Sequence, residues 1–373
     1  MNIGILREDP RRERRIALTP AAVQSIIGAG NMVYVEENAG SASHFSNEEY
    51  KQVGAHIVYT SDEIFGRSEM VLKISPPTEE TCGRLLDSQI LFSFLHLAMV
   101  RPQIVDLLLR KSISSVGYEL IEDGGGHLPI LQEMSEIAGQ MSIHVAARHL
   151  ESNNNGRGIV LGGITGVSPA LVVVIGAGTV GQAATRTALG VGAKVIVFDK
   201  DLSRLRSMQI QFNFHVSTAV TNRYDLAKAL RSADVVIGAA LIKGERTPHV
   251  VTEDMVRQMK PGSMIIDVSI DQGGCVETSR PTSLENPTYI LHDVIHYCVP
   301  NMAANVARTA TYGITNALLP FVLEISSKGI ERAIKENSGL ARGICTYQGI
   351  CAQDSLAQRL ERRVPAITIS SSR

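Results

Sequence analysis

Two groups of residues in this sequence have the types and spacing to do chemistry. The first is Val172-Val173-Val174-Ile175-Gly176-Ala177-Gly178-Thr179-Val180-Gly181, a G-x-G-x-x-G run directly after an apolar strand and at the opening of a helix. In that setting Gly176 allows a tight turn, Gly178 lets the backbone approach a pyrophosphate, and Gly181 lets the helix pack closely on the strand. The helix N-terminus adds free N–H groups and the positive end of its dipole. Glycines alone can make a merely structural turn. Here the next strand, Lys194–Phe198, ends in Asp199, about 20 residues on, where a carboxylate accepts from a ribose 2′-hydroxyl. That acid repels a 2′-phosphate, so the run predicts NAD rather than NADP. Lys200 and Arg204, just beyond it, are basic counterweights.

The second group lies in four segments: Glu13-Arg14-Arg15-Ile16-Ala17-Leu18-Thr19-Pro20, Val71-Leu72-Lys73, Phe92-Ser93-Phe94-Leu95-His96 and Ile270-Asp271-Gln272-Gly273-Gly274-Cys275. Arginine holds an anion bidentately and lysine holds it as a point charge. Histidine trades a proton near neutral pH. Each residue also has a plainer reading. Arg15 sits in a charge run of the kind that forms solvated faces. Lys73 can be a surface residue at a strand end, His96 a satisfied core histidine, and Asp271 the cap of a turn. Strand ends in open α/β sheets are where ligands bind, which favours function. Cys275 reads as packing, because nothing adjacent would activate its thiol.

The elements that must carry these residues alternate. Strands are expected at Ile3–Leu6, Met32–Glu36, Met70–Ile74, Gln89–Leu95 and Ile113–Glu119, with helices at Ala21–Ile27, after a Thr19-Pro20 start, and at Ile104–Arg110. A long helix, Leu131–Leu150, would bridge two domains. A second set of strands reads at Leu171–Ile175, Lys194–Phe198, Val235–Gly238, Ser263–Val268 and Thr288–Leu291. Helices read at Val180–Leu189, Leu202–Gln211, Asp225–Arg231, Thr252–Met259 and Ala310–Glu324. Alternation of this kind predicts an α/β fold with parallel sheets, and 373 residues predict two domains. The helix-rich tail can cap the second unit or return to the first.

A net charge of −1 argues against a nucleic-acid partner. Five scattered cysteines with no C-x-x-C pair fit reduced cytosolic thiols and no metal site. The N-terminal strand does not read as a signal peptide, and the longest apolar stretch is too short to span a bilayer.

Taken together, the segments resemble the alanine dehydrogenase family over nearly the full chain, in order and with matching spacing. Met134-Ser135-Glu136-Ile137-Ala138-Gly139 and Asp271-Gln272-Gly273-Gly274 are especially specific, and Ser279-Arg280-Pro281-Thr282 and His292-Asp293 also match. The resemblance implies two Rossmann-like domains, with an NAD domain (130–307) inserted in a discontinuous substrate/catalytic domain (1–129 and 308–373). It implies NAD-dependent, reversible oxidative deamination of L-alanine to pyruvate and ammonium by a cytoplasmic homo-hexamer. Arg15 and Lys73 would bind the substrate's carboxylate and carbonyl side, and His96 would give and take the proton with Asp271 as acidic partner. Ser135, Gly176, Gly178, Thr179, Val180, Gly181, Asp199, Arg204, Ala240, Leu241, Val268, Arg280, Asn301 and Met302 would lie around the cofactor.

Two stretches depart from the family pattern. After Asn301-Met302 the family usually carries prolines around a valine, whereas this chain has Ala303-Ala304-Asn305-Val306-Ala307-Arg308, which would loosen the loop. Lys73 is followed by Ile74-Ser75-Pro76-Pro77 where charged residues are usual. Three other readings stand beside the first. They are the soluble domain of a proton-translocating transhydrogenase, a dehydrogenase for a larger amino acid of the saccharopine type, and an NAD-binding protein without turnover.

Overall fold

Strands buried on both faces read as unbroken apolar runs, and in this chain two sets of them build two parallel sheets. The computed structural model describes residues 1–96, 101–240, 247–353 and 356–357. These form two units: Met1–Met134 with the described part of Ala304–Arg373, and Ser135–Ala303.

The first unit alternates β1 (Asn2–Ile5), α1 (Pro20–Gly28), β2 (Met32–Glu36), α2 (Asn47–Gln52), β3 (His56–Val58), α3 (Ser61–Arg67), β4 (Met70–Leu72), α4 (Glu79–Arg84), β5 (Ile90–Ser93), α5 (Pro102–Arg110) and β6 (Ser114–Gly117). Its helices start at side-chain caps: Thr19 for α1, Ser46 with Glu49 in a reciprocal box for α2, Thr60 for α3 and Thr78 for α4. The six strands are parallel, in the order β3-β2-β1-β4-β5-β6. The order reverses between β1 and β4, which opens a crevice at the carboxyl ends there.

Helix α6 (Pro129–His149) carries the chain into the second unit. There β7 (Leu171–Ile175), α7 (Thr179–Gly190), β8 (Lys194–Asp199), α8 (Leu202–Gln211), β9 (Ser217–Val220), α9 (Arg223–Ser232), β10 (Val235–Gly238), α10 (Glu253–Arg257), β11 (Met264–Asp267), β12 (Thr288–Leu291) and β13 (Val294–Tyr297) follow. The sheet order is β9-β8-β7-β10-β11-β13, all parallel, with β12 antiparallel at the edge of β13. Both sheets therefore share one plan. Alternate residues of β7 feed two cores. Val172 and Val174 pack with Ala184 and Ala188 of α7, while Val173 and Ile175 pack with Leu226, Leu230 and Val256. Gly139 of α6 lies against α7 so closely that a Cβ there would meet the Val180 carbonyl oxygen at 2.4 Å, which explains the glycine in the specific run around Ser135.

After β13 the chain returns through α11 (Ala307–Lys328), α12 (Ile330–Glu336) and α13 (Ser338–Gly343) to β14 (Ile344–Tyr347) and β15 (Ile350–Cys351). β14 pairs antiparallel with β6, and a buried hydroxyl pair, Ser115 with Thr346 at 2.7 Å, locks the register. The tail thus completes the first sheet rather than capping the second unit. The stretch without prolines, Met302–Val306, is a 3-10 turn that leads into α11. Among the described residues no helix is long and apolar enough to cross a membrane.

Candidate active site

Two glycines of the run have the structural roles that their spacing predicts. Gly176 has φ 110°, and a Cβ on it would sit 2.4 Å from the Ala239 carbonyl oxygen, so it serves both the turn and the neighbouring strand end. On Gly181 a Cβ would meet the Gly176 carbonyl oxygen at 1.9 Å, so the packing of α7 on β7 requires glycine there. Gly178 has an ordinary φ of −75°, and a Cβ on it would meet nothing within 4 Å. No packing among the described residues explains that glycine. Gly178 is also the N-cap of α7 and offers no side chain to the helix's first N–H groups. Asp199 ends β8 half-buried; its Oδ2 accepts from Ala177 N at 2.6 Å and its Oδ1 from Asp201 N at 2.8 Å. Arg204 is exposed and faces Asp201, at 3.7 Å, not Asp199. Thr179, Val180 and Ala240 are half-buried around the same strand ends, and Leu241 lies outside the described residues.

Asp271 belongs to a 3-10 turn, Val268–Gln272, after β11, and is exposed. It accepts from the backbone N–H of Asn301 at 3.2 and 3.4 Å, which ties the loops after β11 and β13 together. Asn301 has a left-handed φ of 60°, and Met302 is packed into the core. Behind the turn stands Asp267, which carries no signal in the sequence beyond its strand-end position. It is buried and accepts from Ser269 N at 3.1 Å on one oxygen and from Cys275 N and Val276 N at 3.0 and 3.1 Å on the other. Burial raises its carboxyl above the ordinary value, although the Ser279 side chain and the N–H groups of Val276 and Cys275 pull it down. Burial, then the Asp267 charge, pushes the Cys275 thiol well up, as a packing residue requires. An amide can accept on only one side, so Asp267→Asn should leave at least one buried N–H unpaired. It should destabilise the protein by about 1–3 kcal/mol in a denaturant titration. An unchanged midpoint would remove Asp267 from this role.

Arg280 is exposed, its guanidinium carbon 4.4 Å from the centre of the Tyr289 ring. Tyr289 in turn stacks on buried His296 at 4.9 Å, accepts from Arg280 N at 3.0 Å and donates to the Thr278 carbonyl at 2.6 Å. Burial lowers His296 to about 4, against the pull of the Val294 carbonyl. A folded value below the unfolded one of about 6.5 gives stability that is present above pH 6.5 and lost as pH falls towards 4. The wild-type protein should lose about 3 kcal/mol more than His296→Phe between pH 7 and pH 4 in urea unfolding. Equal losses would show that His296 does not set this slope.

In the first unit, Arg15 is not part of a solvated face. It is 4% exposed and forms a two-pronged pair with Glu13, Nε to Oε1 at 2.8 Å and Nη2 to Oε2 at 2.6 Å. Its Nη1 reaches the Met134 sulfur at 3.1 Å, and its carbon lies 5.5 Å from the Phe94 ring centre. Among the described residues two of its five N–H donors then remain, one on each terminal nitrogen, spaced for a carboxylate. Lys73 follows β4 and is held by Glu8 at 2.7 Å. Glu8 also accepts from Ile74 N at 2.6 Å, Ser75 N at 3.0 Å and Ser75 Oγ at 2.7 Å, so the unusual Ser75 serves as a fastener. Arg15 and Lys73 line one cavity of about 610 Å3. His96, past the end of β5, is exposed with a left-handed φ of 46°. Its N–H donates to Glu119 at 2.6 Å, and its ring stacks on Phe94 at 5.9 Å. Glu8, Glu13 and Glu119 do not stand out in the sequence. The signals that could have found two of them are an acid one strand-end away from a cation, at Glu8, and an acid inside the charge run, at Glu13.

Two Rossmann-type sheets, one ending in a glycine loop with a strand-end acid and the other in a buried and a half-buried cation, give the chain the form of the dinucleotide-binding class of α/β proteins. Family comparison narrows this. The family described as alanine dehydrogenase/PNT matches over residues 4–138 with its N-terminal domain and 142–354 with its C-terminal domain. The chain belongs to that family. It is 43% identical over 359 residues to an alanine dehydrogenase of Methanococcus maripaludis, covering 96% of both chains. A solved L-alanine dehydrogenase superposes with TM-score 0.92 at 37% identity, over 97% of this chain and 99% of the other. A transhydrogenase of Sinorhizobium meliloti superposes with TM-score 0.81 at 21% identity, over 95% and 100%, which shows shared fold alone.

Proposed function

We propose that the protein is an NAD-dependent L-alanine dehydrogenase, which interconverts L-alanine with pyruvate and ammonium. The observation that carries this reading is the pair of cations, Arg15 buried and Lys73 half-buried, on one cavity at the carboxyl ends of the first sheet. A transhydrogenase needs no such carboxylate grip. The second unit is the cofactor domain in this reading, and the first binds substrate.

The residues present fit NAD. Gly178 and the N-terminus of α7 would take the pyrophosphate, Asp199 the ribose hydroxyls, and Ser135, Val268, Arg280 and Asn301 the surroundings. Arg204, engaged with Asp201, leaves Asp199 to reject a 2′-phosphate. A bound nicotinamide supplies the acceptor or donor of the hydride. The two N–H groups left on Arg15 hold the substrate carboxylate, and the Lys73 ammonium, with two donors left beyond Glu8, polarises the 2-oxo group. His96 takes the proton from the amine and from the water that adds to the imine, and returns them in the reverse direction. Asp271 balances the charge that develops beside it. The protein works as a homo-hexamer in the cytoplasm in this reading, where its five free thiols suit a reducing compartment.

The test is NADH oxidation with pyruvate and ammonium, followed by absorbance, with NADPH and glyoxylate as comparisons. Turnover that requires ammonium and prefers NADH is expected. Tight NADH binding without turnover would replace this reading with a non-catalytic one. Within the same assay, Glu8→Gln releases Lys73 from its fixed position and should lower kcat/KM for pyruvate by on the order of tenfold or more, about 1.4 kcal/mol. A change under twofold would leave Glu8 without a positioning role.

A further inference from the structure

The two sheets share a strand order, and the likeness extends to one polar detail. In the second unit the acid that ends β8, Asp199, accepts the N–H of Ala177, the second residue after β7. In the first unit Glu36 ends β2, and its Oε2 accepts the N–H of Arg7, the second residue after β1, at 2.9 Å. β1 and β7 hold the same place in their sheets, as do β2 and β8. Glu36 therefore stands where the ribose-binding acid stands in the other unit.

Three further observations point to a ligand there. Glu36 is 8% exposed, lines the cavity of about 610 Å3, and has Arg7 N as its one hydrogen-bond donor among the described residues, which leaves Oε1 available. Burial raises its carboxyl above the ordinary value, a cost that a hydroxyl donor would offset. Arg7 lines the same cavity, and its guanidinium donates no hydrogen bond among the described residues. Its charge is left to act on Glu36. The cavity is also of a size that holds organic ligands far larger than a three-carbon acid. What the first unit lacks is the glycine loop. Helix α1 opens on Pro20 with Thr19 as its side-chain cap, so its N–H groups are not offered to a phosphate. Cations take that place, since Arg7 and Arg14 both line the cavity.

We propose that this end of the cavity is a second binding site, for a small ribosyl phosphate whose vicinal hydroxyls donate to Glu36 and whose phosphate meets Arg7 and Arg14. It is distinct from the dinucleotide site on β7 and β8. Because Arg15 and Lys73 line the same cavity, an occupant raises the apparent KM for the 2-oxo acid more than it lowers kcat. That kinetic consequence rests on the proposed reaction, whereas binding does not.

The deciding experiment is calorimetric titration of the full chain with D-ribose 5-phosphate. It compares wild type, Glu36→Gln, Arg7→Ala and Asp199→Asn, with thermal melting as a check on each fold. Glu36→Gln keeps an acceptor for Arg7 N, and Arg7→Ala removes only an exposed side chain, so both should fold. Binding that survives Asp199→Asn and weakens at least about tenfold in the Glu36 and Arg7 variants is expected. Binding lost in Asp199→Asn but kept in Glu36→Gln overturns the proposal, as does no heat at millimolar ligand. Equal binding of inorganic phosphate, indifferent to Glu36→Gln, also overturns it by reducing the site to a bare anion contact. The titration reads binding without turnover, so failure of the dehydrogenase assay and failure here are separate results.

Discussion

Replacing His96 with asparagine is expected to lower kcat for pyruvate amination by about 10^2- to 10^4-fold, the usual contribution of a positioned acid–base group. Asparagine is the informative substitution because His96 sits at φ 46°, a left-handed conformation that asparagine accepts more readily than most residues. The backbone N–H to Glu119 survives the change, and the ring it removes is exposed, so the fold should be untouched. NADH binding followed by fluorescence should stay within a factor of two or so, because the proposed cofactor residues lie in the other unit. Loss of turnover with cofactor binding retained places His96 in the proton transfers. A variant that turns over within about tenfold of wild type would remove it from them, and the Glu119 carboxylate, which holds the His96 backbone, would become the next candidate.

The second large effect is expected at Gly178. A Cβ there meets nothing within 4 Å among the described residues, and φ is −75°, which valine accepts. Thermal stability should therefore change by no more than a few degrees. The side chain instead occupies the space in which a pyrophosphate approaches the N-terminus of α7. NADH affinity should fall by on the order of a hundredfold, about 2.7 kcal/mol, and turnover with it. Gly181→Val makes the contrast, because its Cβ would overlap the Gly176 carbonyl oxygen at 1.9 Å. That variant should lose the fold of the second unit rather than cofactor affinity alone. A Gly178→Val protein that binds NADH as wild type does would mean that the glycine loop is not the pyrophosphate site.

The parts of this protein that were legible from sequence are those built by neighbours along the chain. The strand, turn, helix and acid of the proposed dinucleotide site lie within residues 171–199, where apolar runs, glycine conformations and a strand-end carboxylate dictate one local structure. The helix Leu202–Gln211 and the strands Val235–Gly238 and Thr288–Leu291 have the ends expected of them for the same reason. Less legible were short or polar elements. β9 and β3 are edge strands that need one buried face at most, and their sequences, Ser217–Val220 and His56–Val58, carry little apolar pattern. The expected strand Ile113–Glu119 stops at Gly117, where the chain turns so that Glu119 can take the N–H groups of Leu95 and His96.

Composition and spacing along the chain, by themselves, determined an alternating α/β chain with one glycine loop of dinucleotide-binding form, and the run of cations around Arg15 looked like surface. Tertiary structure decided the rest. It set Glu8 against Lys73 across 65 residues, buried Arg15 on Glu13 beneath Phe94, brought β14 back to β6, and folded the Asp271 turn around Asp267. The physical reason is that a local pattern specifies backbone conformation through propensity and periodicity. Which buried charge meets which depends instead on the order of strands in the sheet, and only the closed core enforces that pairing, because an unpaired charge there would be too costly.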